Sequence, residues 1–504
     1  MLKLASISKI LCLVCIQVAV SPFFAMGSDS LAKDDSVFST DLKEADADIL
    51  SSVFSDTAID ELELTPVTFL QPSPGNYPDL NQPAPSNAVP PPVTNRLNGR
   101  SNKGATYYDH SIQRGLGLLR CGQPMAALDA MMCTGSATDD IRHYKMLTMG
   151  AAFGELDMIS EARAYYNRVA QETQNEELRQ LAYQSTQELN RYVYCREKER
   201  FWFKATTFYD SNPAILPIFN AVGIPDQDAD STFGNSYLFG YEKDIVRTDD
   251  SDLAVGLVAY GTENYSGHEY DIGRYSGYLR YSHRSYLNCT PTYSGIVMNY
   301  DYVTVGDNSF LSNPIVSPWV TFQHDDQYST VLYGDYKYYD FLGQGALDGT
   351  ALDTDSHYGR VGITERYRFI PYDNVLVALG YQFARNESQG SDYDYGSHNI
   401  VGYMLWEVPE TETLVTLAAE YHIRDYDNRN SIITTTTRSD RELLVGAEVL
   451  HPIHDDWYLT LDAWLDLNES NLGFNDYDRF RGGIGLEYRF PHSFSERSRD
   501  FRRF

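Results

Sequence analysis

A C-terminal antiparallel β-barrel of about 14 strands, preceded by a small α-helical domain, is the α+β multidomain architecture that this 504-residue sequence predicts. Three observations point to it. From Phe201 onward, apolar side chains recur at every second position. The connections between these runs alternate long and short. The last run ends in two aromatics, Tyr488 and Phe490.

The alternation is plain at Val375, Val377, Leu379, Tyr381 and Phe383, and again at Leu459, Leu461, Ala463 and Leu465. Asp462 falls between members of the second set, and Asp466 follows its last. Ile296, Met298, Tyr300 and Tyr302 bracket Asn299 and Asp301 in the same way. Period two sends successive side chains to opposite faces. A soluble sandwich would alternate too, so the connections decide. Long ones are expected near 210–234, 304–313, 340–356, 386–396, 425–439 and 468–478. Short ones include Thr248-Asp249-Asp250-Ser251, His324-Asp325-Asp326-Gln327, Pro371-Tyr372-Asp373, Pro409-Glu410 and Ile453-His454-Asp455-Asp456. Transmembrane barrels have short periplasmic turns, longer external loops and an even strand number. If the first strand leaves the periplasm, both ends of residues 196–490 lie there.

The final run sets Phe480, Gly482, Ile484, Leu486, Tyr488 and Phe490 against Arg481, Glu487 and Arg489. It resembles the C-terminal signal strand of outer-membrane barrels, which implies the barrel-assembly machinery as a partner during insertion. A charged tail, 491–504, follows. The 39 tyrosines suit an aromatic girdle at the bilayer interfaces. A net charge of −30 disfavours nucleic acid as a partner.

Residues 1–27 read as a signal peptide: Lys3 and Lys9, an apolar Ile10–Val20, then Ala25 and Gly27 as small residues before cleavage. Residues 28–104 are acidic and then proline-rich, a composition that does not bury enough apolar surface to fold; a short helix over 41–54 is the exception. Cys121, Cys133, Cys195 and Cys289 remain after cleavage. Their spacing matches no metal site, and in an oxidising compartment either disulfides or free thiols are compatible with them.

Residues 105–195 change to helical spacing. Two segments align: Gly115, Leu118, Gly122, Ala127 and Met131 in the first, Gly150, Phe153, Ala162 and Tyr166 in the second. Gly115 to Gly150 and Ala127 to Ala162 are both 35 residues apart. Small residues at these points let paired helices approach, and the large residue four beyond each alanine fills the groove. The pattern resembles the tetratricopeptide (TPR) repeat, whose period is about 34 residues. Residues 174–194 supply a capping helix. Two repeats are fewer than such a stack needs, so this domain is expected to lean on a neighbour.

Inside the barrel, alternation points Arg360, Arg366 and Arg368 inward as a basic row, with Asp462, Asp466 and Glu487 as acidic candidates near closure. Paired charges in a wet lumen are one reading, and opposed rows orienting a polymer or ion are the other. The His324-Asp325-Asp326 and His454-Asp455-Asp456 segments read as solvated turns. Gly-x-Ser-x-Gly, His-Glu-x-x-His and P-loop patterns do not occur. No catalytic residue, metal site or cofactor is therefore assigned, and no enzymatic activity is expected.

A signal peptide, a TPR-like periplasmic unit and a barrel together resemble surface lipoprotein assembly modifiers and, less closely, exopolysaccharide export porins. That resemblance implies export or surface delivery of a protein or polymer cargo across the bacterial outer membrane. A passive porin or structural barrel with a helical periplasmic anchor is the alternative. Outer-membrane lipid is the expected partner in either case.

Overall fold

The computed structural model describes residues 105–490, apart from 133–137, 196–198, 214–230, 288–289, 307, 343–348, 370–374, 409–410, 432–435 and 455. The expected signal peptide, acidic linker, 41–54 helix and charged tail lie outside the described residues, as do Cys133 and Cys289. Cys121 is an exposed free thiol.

Five helices come first: α1 (Ala105–Arg120), α2 (Pro124–Met132), α3 (Asp139–Glu155), α4 (Ile159–Glu172) and α5 (Glu176–Cys195). Local chemistry sets their ends. Gly122, at φ 68°, takes the left-handed conformation that closes α1. Pro124 opens α2, where a missing N–H costs nothing. Thr138 caps α3 by accepting from Ile141 N at 3.3 Å, and Asp139 and Asp140 complement the helix dipole. Asn175 caps α5 by accepting from Glu177 N at 3.0 Å.

The two helix pairs pack alike. A Cβ on Gly115 would press on Met131 at 3.1 Å, and one on Gly150 would meet the Tyr166 ring at 2.6 Å. Ala127 and Ala162 are fully buried, and Phe153 sits with them in the core. That core is completed from outside the helices: Tyr293 is part of it, and Tyr286 and Trp319 pack against it. All three belong to barrel strands.

The strands are β1 (Glu199–Asp210), β2 (Thr232–Arg247), β3 (Ser251–Asn264), β4 (Ile272–Leu287), β5 (Thr290–Val305), β6 (Asn308–Gln323) and β7 (Tyr328–Phe341), continuing through β8 (Ser356–Arg368), β9 (Val375–Ser388), β10 (Tyr395–Val408), β11 (Thr413–Arg429), β12 (Thr437–His454), β13 (Trp457–Ser470) and β14 (Tyr477–Phe490). Each pairs antiparallel with the next, and β1 closes on β14 in a register running from Phe201↔Phe490 to Asp210↔Arg481. The sheet is a closed 14-strand barrel with no free edge. At about 3.3 Å per residue and a tilt near 40°, strands of this length reach across a hydrocarbon layer of about 25 Å.

The connections differ from expectation at one place in particular. No long loop covers 304–313: β5 runs to Val305 and β6 begins at Asn308, so Pro314 lies inside a strand. Elsewhere strands continue past their expected ends, which leaves 211–231 and 342–355 as the long connections. The cause is a recurring carboxylate. Asp271 accepts from Asn264 N at 2.6 Å, Asp355 from Phe341 N at 2.7 Å, Asp394 from Ser388 N at 2.7 Å, and Asp476 from Ser470 N. Acidic, serine-rich stretches that read as loop thus extend the ladder and cap it.

Candidate functional site

The two faces of the wall differ in chemistry. Leu257, Val361, Ile400, Ile484 and Phe490 point outward and are more than half exposed. On the neighbouring positions Arg274, Arg280, Lys337, Glu442 and Glu487 are buried inside the barrel. A wall apolar outside and charged within is what a bilayer-spanning barrel requires.

The inward charges are joined in pairs and small networks. Arg274 reaches Asp301 at 2.5 Å, and Arg280 reaches Glu242 at 2.7 Å. Arg424 and His422 both hold Glu442, at 2.7 and 3.1 Å. Arg479 grips Asp210 with two nitrogens, beside the β1–β14 closure. Among the basic row, Arg360 is tied to Asp335 on the next strand at 2.7 Å, while Arg366 is buried and Arg368 lies at the strand's end. The acidic candidates sit on β13 and β14, with β13 five strands along the wall from β8. Asp462 lies 3.6 Å from Lys204, which also holds Glu448 at 3.0 Å. Asp466 accepts from Tyr477 Oη at 3.1 Å, and Glu487 is paired with Arg489. The structure therefore does not assemble two opposed free rows. It ties Arg360, Asp462 and Glu487 into local ion pairs.

Beside β1–β3 and β11–β14 the lumen holds a cavity of about 130 Å³. Lys204, Glu448 and Asp462 meet there, along with Tyr260, Leu444, Trp464 and Arg481. Arg481 donates to Tyr260 Oη at 3.1 Å and lies 4.0 Å from the centre of the Phe208 ring, in cation–π position. Lys204, Trp464 and Tyr260 are the lining residues that sequence reasoning missed. The parity that selected Asp462 also selects Trp464 and, on β1, Lys204.

Five aromatic side chains lie flat against the wall, each over a glycine directly opposite: Trp202 on Gly240, Tyr278 on Gly256, Trp319 on Gly295, Tyr333 on Gly362, and Trp464 on Gly446. A Cβ at any of these glycines would collide with the ring. The close approach keeps large rings out of the middle of the lumen and ties neighbouring strands to one register.

The end where the strands begin and finish also carries the helices. The α3–α4 loop enters the rim there. Asp157 is fully buried, holds φ 55°, and sits 2.6 Å from Arg284 Nε at the end of β4. Asp252 takes the other side of Arg284 at 2.5 Å, and Arg247 joins Asp252 to Asp244. Tyr293 Oη donates to the Leu156 carbonyl at 3.0 Å, and the Phe153 and Tyr286 rings meet edge to face. Arg163 grips Asp249 of the β2–β3 turn with two nitrogens, at 2.7 and 2.9 Å. In the β6–β7 turn, Asp325 accepts from Gln327 N and Tyr328 N and shapes the turn. Its neighbour Asp326 accepts from Met125 N and Ala126 N, at 3.0 and 3.1 Å, and so caps α2 across a separation of 200 residues. Burial pushes the Asp326 carboxyl above its ordinary range, and the two α2 N–H groups pull it back.

Among the described residues, no group of three or more His, Cys, Asp or Glu side chains is placed to hold a metal ion. No protein-family model matches the chain, and no curated protein matches it by sequence. Solved structures similar to it include OccAB3 of Acinetobacter baumannii, at 9% identity over 58% of this chain and 99% of that one, with a TM-score of 0.32. A loop-deletion mutant of OmpT, an outer membrane protein of Vibrio cholerae, is 11% identical over 58% of this chain and all of its own, with a TM-score of 0.34. An anion-selective porin from Comamonas acidovorans is 10% identical over 58% of this chain and 98% of its own, with a TM-score of 0.31.

Proposed function

We propose that this chain is an outer-membrane channel of porin type, with its helical domain in the periplasm and seated on the mouth of the barrel. One observation carries the reading: a closed wall, apolar towards the outside, surrounds charged and polar side chains and a cavity. Backbone polar groups must be satisfied internally in a bilayer, and a closed barrel does that. A soluble protein has no use for an exterior belt of leucine, isoleucine, valine and phenylalanine.

The helical domain is TPR-like in its packing, since both hairpins place a glycine of the first helix under a large residue of the second. Its role here is anchorage. An export role would ask the repeat surface to receive cargo. The α3–α4 loop, the start of α2 and the shared core are instead occupied by the barrel rim. Outer-membrane lipid is the partner of the outer belt, and the barrel-assembly machinery is the partner for which Tyr488 and Phe490 suit the last strand.

The test is conductance of the purified full chain in planar bilayers. Stepwise, ohmic conductance with weak ion selectivity is expected, because the lumen charges are paired locally. A chain that inserts as a folded, heat-modifiable barrel and never conducts would sink the channel reading while leaving the barrel intact.

A further inference from the structure

We infer that the β6–β7 seam is the place where the barrel wall parts, and that the helical domain holds this seam closed from the periplasmic end. Two independent features meet on this one hairpin.

The first is the ladder. Pro314 and Pro318 lie inside β6, four residues apart and therefore on the same side of the strand. Proline has no N–H to donate, and within a sheet it belongs at edges or bulges. The β5–β6 pairing runs unbroken past both, through Tyr300↔Pro314 and Ile296↔Pro318. The β6–β7 pairing breaks at both: it holds at Ser312↔Asp340, Ile315↔Lys337, Val316↔Tyr336 and Trp319↔Tyr333, and lapses between them. The proline nitrogens thus face β7, and by the same register their missing donors fall opposite Tyr338 and Gly334. Among the described residues, no other adjacent pair in the wall has two such interruptions. Even the closing β1–β14 pair is continuous over its length.

The second is the latch. The turn that joins β6 to β7 carries Asp326, whose carboxylate takes the first N–H groups of α2. Trp319, near the same end of β6, packs on the helical core. The helical domain therefore grips the most weakly paired of the described hairpins at its turn. A hairpin short of cross-strand bonds but pinned at its turn is a two-state element. Release of the pin lets β6 and β7 separate, and docking holds them together.

Amide hydrogen exchange on the full chain in lipid vesicles tests this directly. The amides of β7 around Gly334 and Tyr338 should exchange about tenfold faster than those of β9 and β10, in line with two absent hydrogen bonds. Pro314→Val with Pro318→Val should slow them to the level of the other strands. Asp326→Ala should speed them further and leave β9 and β10 unchanged. A Pro318→Cys, Gly334→Cys pair, oxidised across the seam, should abolish the effect of Asp326→Ala. Equal exchange in all strands, or no response of the seam to the proline or Asp326 variants, overturns the inference. Because the readout is exchange, it stands or falls separately from conductance.

Discussion

Removing the Arg284 guanidinium should release the α3–α4 loop from the rim far more than removing Asp157, although the two form one ion pair. Both groups are shut away from water, Arg284 at 3% and Asp157 at 0% exposure. Arg284 serves two carboxylates, Asp157 at 2.6 Å and Asp252 at 2.5 Å. In Arg284→Met, two buried acids lose their cation, with Arg247 left beside Asp252 at 3.3 Å. Leaving buried charge uncompensated costs about 3–5 kcal/mol. In Asp157→Asn, Arg284 keeps Asp252, and asparagine tolerates the left-handed backbone at φ 55°. The loss is then that of one ion-pair contact with no charge left uncompensated, about 1–3 kcal/mol. The Met158 amide, which donates to Phe153 O at 2.9 Å, reports opening of this loop by hydrogen exchange. Arg284→Met should accelerate it by about a hundredfold or more, and Asp157→Asn by about tenfold. If Asp157→Asn matches or exceeds Arg284→Met, the guanidinium is not the shared hub and the reasoning is wrong.

Other perturbations follow from the same geometry. Lys204→Met leaves Glu448 and Asp462 facing the cavity without their cation, so the reversal potential in a salt gradient should move towards cation selectivity; an unchanged potential would show that these groups do not border the ion path. Gly446→Leu puts a side chain where the Trp464 ring lies, which should cost about 1–3 kcal/mol of barrel stability and lower single-channel conductance as the ring swings into the cavity. Tyr293→Phe removes the donor to the Leu156 carbonyl inside a closed interface, and the unsatisfied acceptor should weaken docking by about 1–3 kcal/mol, read as faster exchange of the Leu156 amide with no change at β9 or β10.

The barrel was legible because lipid and water impose opposite demands at successive positions. Val375 to Phe383 and Leu459 to Leu465 record that demand directly, and it also gives the inward parity of Asp462 and Arg360. The strand ends were not legible. A stretch such as Ser388 to Asp394 has turn composition whether its aspartate shapes a loop or caps a ladder, and only the folded partner N–H decides. The same limit hid the latch. Asp325 and Asp326 are adjacent, identical and both typical of a turn. One folds that turn, while the other holds a helix 200 residues away. The 304–313 segment, expected as a long connection, is instead largely taken up by the ends of β5 and β6. The rule that keeps proline out of a strand bonded on both sides still applies to Pro314 and Pro318 inside β6. β6 satisfies it by being fully bonded on one side and interrupted on the other. A closed barrel normally has no edge to accommodate proline, so the presence of two in β6 places a partial edge inside the wall. The helical domain sits on the turn of that hairpin. A propensity rule that fails for a strand's existence can thus hold for its hydrogen bonding, and the failure marks the strand pair least able to stay closed unaided.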